Sequence, residues 1–317
     1  MNGFFRFKYF LSKWDELAEQ SATSPNVAEH VLNNNGRTIF FMLQALCRIY
    51  KNRGNKKRFE KYNDKFKKIE DLLGDMDHFG YYKNEFARDS RMPPQGLSYY
   101  EDGYRSACEQ LNAVLLNKDW LNGNRTYKMR KRLSEIKWDK PKKDAAFVEE
   151  FYRSEIAEWV SFHKSVSPFT HLEDHLHEYR RKIRWFSIYP HAMRGSIQLI
   201  ADKETDENTL PYLTEEILNS PYNRFPTGDY ESPTLFLNRS RFLALSYLID
   251  KLGDLKDEGM MIEELENTYK RLGINEVEGL AGRKKEILEE SSDVAGKFFK
   301  EAHLQRLIYG VKKQKAL

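Results

Sequence analysis

The chain has little that could staple or punctuate it. Only two cysteines, Cys47 and Cys108, occur in 317 residues, too few for a disulfide framework or a four-cysteine zinc site. Cys47 sits inside FFMLQALCRIY and reads as a buried thiol in a reducing compartment. Proline (10) and glycine (17) are sparse, so turns are few and the elements between them long, which favours helices. Neither charge sign dominates: 52 Lys and Arg stand against 48 Asp and Glu, a net charge of +4. A preference for an anion must therefore come from local clustering. No run reaches 18 uninterrupted apolar residues, so no membrane-spanning helix is expected. Arg6, Lys8 and Lys13 interrupt MNGFFRFKYFLSKW before a secretory hydrophobic region can form. The expectation is a cytoplasmic protein without membrane association. A Gly-rich phosphate loop, a nucleophile elbow and a CxxC pair are all missing, which points away from an enzyme and away from a cofactor.

What the chain does have is helical periodicity along most of its length. It predicts helices over 4–20, 27–52, 56–79, 99–117, 125–136, 144–165, 169–189, 192–202, 234–256, 259–272 and 277–312. Turn formers separate them: SPN at 24–26, NRGN at 52–55, MPPQG at 92–96 and YP at 189–190. The segment 203–233 holds four prolines and many turn residues and reads as mostly loop with a short helix. No run of period-two strands is evident, so the expected class is all-α.

HEYRRKIRW (177–185) places a histidine and four cationic side chains in nine positions. On a helical wheel His177, Arg180 and Arg184 fall within about 60° of one another, with Arg181 close by. Leu172, Leu176, Tyr179, Ile183 and Phe186 form the neighbouring apolar edge. The pattern has a partner upstream. HVLNNNGRTIFF (30–41) lies on HEYRRKIRWFSI (177–188) with His30 over His177 and Arg37 over Arg184. DLLGDMDHFG (71–80) lies on DKLGDLKDEG (250–259) with Gly74 over Gly253 and Asp75 over Asp254. A twofold internal repeat follows, with residues 1–165 as the first half and 166–317 as the second.

The order His-x-x-Arg-x-x-x-Arg, then Leu-Gly-x-x-basic-Asp, occurring twice, resembles the CHAD domain, the conserved histidine α-helical domain. His177, Arg180 and Arg184 fit the first motif, and Leu252, Gly253, Lys256 and Asp257 fit the second. The first half keeps His30, Arg37, Leu73 and Gly74, with Asn33 where the family has arginine and Asp77–His78 where it has a basic residue and aspartate. The resemblance implies two helical bundles related by a pseudo-twofold axis, basic helix faces lining a central groove, and binding of inorganic polyphosphate without catalysis. The Glu-x-Glu-x-Lys motif of the hydrolase domain fused to some members is absent.

Arginine grips phosphate oxygens with a planar, permanently charged fork, and histidine adds a contact that strengthens on protonation. The expected polyphosphate ligands are therefore His177, Arg180, Arg181 and Arg184, with His30, Arg37, Lys67, Lys68 and Lys256 contributing. The competing reading is a helix face whose cations pair with carboxylates such as Asp174 or Glu178. Gly74 and Gly253 suggest close helix–helix approach, and Asp254 and Asp257 hold basic side chains in place. Two more basic runs, 51–68 and 125–143, each hold nine Lys and Arg against two acids. They support an alternative, a nucleic-acid-binding helical protein; a ligand-free interaction scaffold is a third. His171 and His175 have the i,i+4 spacing of helical metal ligands. His175, however, projects about 160° from His177 on a regular helix, so no metal site is expected.

Overall fold

The computed structural model describes residues 2–53, 55–88, 92–201, 206–228, 233–274 and 280–313. Most of this chain is helical, and it forms two compact units, Met1–Asp139 and Lys140–Leu317. The helix that ends the expected first half therefore belongs to the second unit.

The first unit contains α1 (Gly3–Ala22), α2 (Val27–Asn33), α3 (Gly36–Tyr50), α4 (Lys56–Phe86), α5 (Pro94–Asn117) and α6 (Asn124–Ser134). Asparagines start three of them: the side chains of Asn2, Asn26 and Asn55 accept from the backbone N–H groups of Phe5, Glu29 and Arg58, satisfying first-turn donors that a helix leaves open. Each helix turns one apolar stripe inward. Trp14 of α1 and Phe40 of α3 stand 4.7 Å apart, and Trp120 meets both edge-on. The Trp14 indole N–H donates to the Trp120 carbonyl at 3.1 Å, which gives its polar edge a partner inside the core. α4 packs against both α3 and α5.

The second unit contains α7 (Pro141–Val166), a π-helical turn (Leu172–His177), α8 (Glu178–Ala192), β1 (Ile197–Ile200), α9 (Glu215–Asn219), β2 (Pro233–Asn238), α10 (Arg239–Arg271), α11 (Leu280–Glu301) and β3 (Ile308–Lys313). The core gathers Tyr152 and Trp159 of α7, Tyr179 and Ile183 of α8, Leu245, Leu248 and Leu252 of α10, and Phe298 of α11. The strands run in the order β1-β2-β3, the first pair parallel and the second antiparallel. Leu235 pairs with Ile197 on one side and Val311 on the other.

The sheet corrects the strand-free expectation. β2 reads LFL at its centre, with Leu235, Phe236 and Leu237 all buried, so it lacks the alternation of a half-exposed strand. Residues 197–200, expected inside a helix over 192–202, form β1, and the helix expected over 277–312 ends at Glu301 before β3. Residues 277–279 of that helix, Gly54 of the NRGN turn, and residues 203–205 and 229–232 of the expected loop lie outside the described residues. Within the rest of that loop α9 is the short helix, flanked by two 3-10 turns. Of the helices expected over 234–256 and 259–272, residues 234–238 lie in β2 and the rest form one helix, α10, which runs through Gly259. The helix expected over 27–52 is two, broken where Asn35 takes a left-handed backbone (φ 62°), a conformation asparagine tolerates better than most residues.

Candidate anion-binding site

In the second unit the cations of HEYRRKIRW meet carboxylates. His177 closes the π-helical turn with Nδ1 2.8 Å from Glu173 Oε2. Arg181 donates to Glu178 at 2.6 Å, and Lys182 stands 3.5 Å from the same side chain. Arg184 is exposed. Arg180 turns inward: its Nε donates to the Ile249 carbonyl at 3.2 Å. Burial pulls the Arg180 pKa down, against the opposing pull of Asp257, Asp250 and Asp254. Lys256 pairs with Asp257. The rings of His171 and His175 meet edge-on at 5.1 Å.

The first-unit candidates are also engaged. His30 Nδ1 lies 2.9 Å from Ser21 Oγ. Arg37 donates through Nε to Glu70 at 2.9 Å and through Nη1 to Asp77 at 2.7 Å. Burial lowers its pKa, but Glu70 and Asp77 outweigh that, so the net direction is upward. Lys67 pairs with Asp71, and Lys68 is exposed.

The two Leu-Gly glycines share one environment. A Cβ at Gly74 would stand 2.8 Å from Arg37 Nη2, and one at Gly253 would stand 2.9 Å from Arg180 Nη2. The close approach expected from these glycines is real, but the crossing group is an arginine guanidinium rather than a neighbouring helix backbone. In both cases the arginine Nε donates to the residue four positions before the glycine, to the Glu70 carboxylate in one and to the Ile249 carbonyl in the other. By this contact Arg37 stands over Gly74 as Arg180 stands over Gly253, whereas the sequence overlay sets Arg37 on Arg184.

The basic runs 51–68 and 125–143 meet within the first unit. Lys61 and Lys65 of α4 and Arg125, Lys128 and Arg132 of α6 line a concavity of about 260 Å³, together with Tyr62, Met129 and Asp119. The spacings i,i+4 on α4 and i,i+3,i+7 on α6 put each set on one helix face. Tyr62 and Met129, each 3% exposed, form the floor. Among the described residues Asp119 supplies the one carboxylate of the lining, 3.9 Å from Lys128. Arg125 is anchored over the Trp120 ring at 5.2 Å and donates to the Lys118 carbonyl. The side chains of Lys61, Lys65 and Arg132 make no ion pair or hydrogen bond with another described residue.

The crowding of positive charge is visible in Lys65. Burial depresses its pKa first, and Arg125, Lys61 and Arg132 depress it further. The Tyr62 hydroxyl is buried without a hydrogen-bond partner among the described residues. Its pKa is raised by burial, with Arg58 and Arg132 working the other way. The five cations belong to runs visible in the sequence; Tyr62 and Asp119 went unmarked, because an interleaved tyrosine and a turn aspartate carry no signal of their own. Compared with known proteins, the chain matches no family model, no curated protein and no solved structure.

Proposed function

We propose that the protein binds inorganic polyphosphate or a related phosphate-rich anion, without catalysis, and that the concavity of the first unit is where it does so. The observation that carries this reading is the convergence of Lys61, Lys65, Arg125, Lys128 and Arg132 around one carboxylate. Such a cluster raises the local anion concentration and draws anions in over several ångströms, and arginine and lysine both suit phosphate oxygens. The α8 stripe offers less, since Glu173, Glu178 and the α10 carboxylates already face its cations.

The same convergence serves a nucleic acid, but base recognition also needs exposed rings for stacking. Here Trp120 is 2% exposed beneath Arg125 and Tyr62 is buried, so the lining suits a bare phosphate chain better. A twofold CHAD-like repeat belongs to the proposal as well. The recurring arginine-over-glycine contact supports it, and in that register Arg37 fills the place that Asn33 leaves empty in the first motif. A cytoplasmic location fits the two free, buried cysteines.

Titration calorimetry with long-chain polyphosphate at low salt tests the reading. The expected result is binding that the triple substitution Lys61→Gln, Lys65→Gln, Arg132→Gln weakens by tenfold or more, with the helical circular dichroism intact. No binding by the folded protein at low salt would overturn it in favour of the scaffold. Single-stranded RNA displacing polyphosphate with a base preference would replace it with nucleic-acid binding.

A further inference from the structure

The concavity between α4 and α6 has one acidic edge. Asp119 sits in left-handed backbone (φ 56°), held by Asn122 Nδ2 donating to Oδ1 at 3.1 Å, with its side chain half exposed. A polyphosphate chain laid right across the concavity would carry a charged phosphate past that carboxylate. A chain that ends inside avoids it. Like charges at contact distance are among the stronger devices for excluding a ligand pose.

The floor points the same way. The Tyr62 hydroxyl is a donor buried with no acceptor among the described residues, an arrangement that costs folding free energy unless a ligand supplies the acceptor. The charged groups acting on it are Arg58 of α4 and Arg132 of α6, with Glu135 opposing; Lys61, Lys65 and Arg132 of the same lining face no counter-ion among the described residues. A terminal phosphate presents more oxygens to such a lining than an internal one, which has given two of its four to the chain.

We propose that this concavity seats a phosphate end group, as in tripolyphosphate or the terminus of a longer chain, with the Tyr62 hydroxyl donating to a phosphoryl oxygen and Lys61, Lys65, Lys128 and Arg132 around the others. The proposal rests on the polyanion reading and narrows it from phosphate units to chain ends. Asp119 is the residue that enforces the distinction.

Titration calorimetry with tripolyphosphate and with long-chain polyphosphate at low salt distinguishes the possibilities. Tripolyphosphate binds one per protein, and long chains compete in proportion to their ends rather than their phosphate units. Tyr62→Phe weakens tripolyphosphate about tenfold or more, the usual loss for a hydrogen bond to a charged group. Its thermal midpoint stays unchanged or rises, because the hydroxyl has no partner in the free protein. Asp119→Asn raises the affinity of long chains more than that of tripolyphosphate. Lys65→Gln provides a second check at a half-exposed position. Competition that tracks phosphate units, or full affinity in Tyr62→Phe, overturns the end-group seat while leaving polyanion binding in place. No binding of either probe overturns both.

Discussion

Arg180 crosses α10 at Gly253 so closely that a β-carbon there would stand 2.9 Å from its Nη2 nitrogen. Alanine in place of a helical glycine normally stabilises by about 1 kcal/mol, but here the methyl would push the guanidinium off the Ile249 carbonyl. Gly253→Ala is therefore expected to gain nothing in the native background and to recover about 1 kcal/mol when Arg180 is already alanine. A double-mutant cycle in urea measures the difference. Strict additivity would show that the contact has no energetic content.

Salt should control the binding steeply. By analogy with single strands, log K falls with log salt by about 0.7 per phosphate neutralised, and five cations line the concavity. A slope of roughly −3 to −4 is expected for long-chain polyphosphate. Each removed lysine or arginine lowers its magnitude, whereas Arg181→Gln, whose partner is Glu178, leaves it unchanged.

His163 of α7 sets a pH dependence of stability in the second unit. Its ring stacks on Phe299 at 3.9 Å, Nδ1 has no hydrogen-bond partner among the described residues, and burial lowers its pKa. The unfolded chain then takes up this proton at a higher pH than the folded chain does. Stability from this residue is complete above the unfolded value of about 6.5 and is lost as pH falls from there toward the lower folded value. His163→Gln should flatten the pH dependence of the urea midpoint between about pH 7 and 5; equal slopes in both proteins would contradict it.

Arg241 of α10 is 5% exposed and donates to the Ala302 carbonyl and to Asp206. Removing the carboxylate leaves a buried cation without its counter-charge. Asp206→Ala is expected to cost about 3–5 kcal/mol in urea unfolding, far more than Glu149→Ala, whose exposed i,i+4 pair with Arg153 is worth about 0.3–0.5 kcal/mol.

The parts legible in the sequence were those governed by local spacing. α1 and α7 fall close to their expected spans because their apolar stripes repeat every three to four residues, whereas α5 starts at Pro94, inside the MPPQG stretch that reads as a turn. The strands were hidden because their pairing is non-local: Leu235 finds Ile197 and Val311 far along the chain, and a strand buried on both faces shows no alternation. The basic runs were plain, but that α4 and α6 bring them to one concavity is a tertiary fact. The overlay of Arg37 on Arg184 rests on letter matching, which sees neither the break at Asn35 nor the π-helical turn before Glu178.

The order of the strands along the chain has a consequence for synthesis. β1 and β2 can pair once Asn238 has left the ribosome, but the antiparallel neighbour of β2 is residues 308–313, beyond both α10 and α11. While a ribosome completes that stretch, the β2 edge bearing Leu235 and Leu237 stands open, a template for any passing strand. The first unit leaves no strand edge waiting among its described elements; α3, α4 and α5 each meet a helix made shortly before, and α6 returns to α1. The growing chain is thus most vulnerable to aggregation late in translation, and slowing elongation across α11 would lengthen that exposure.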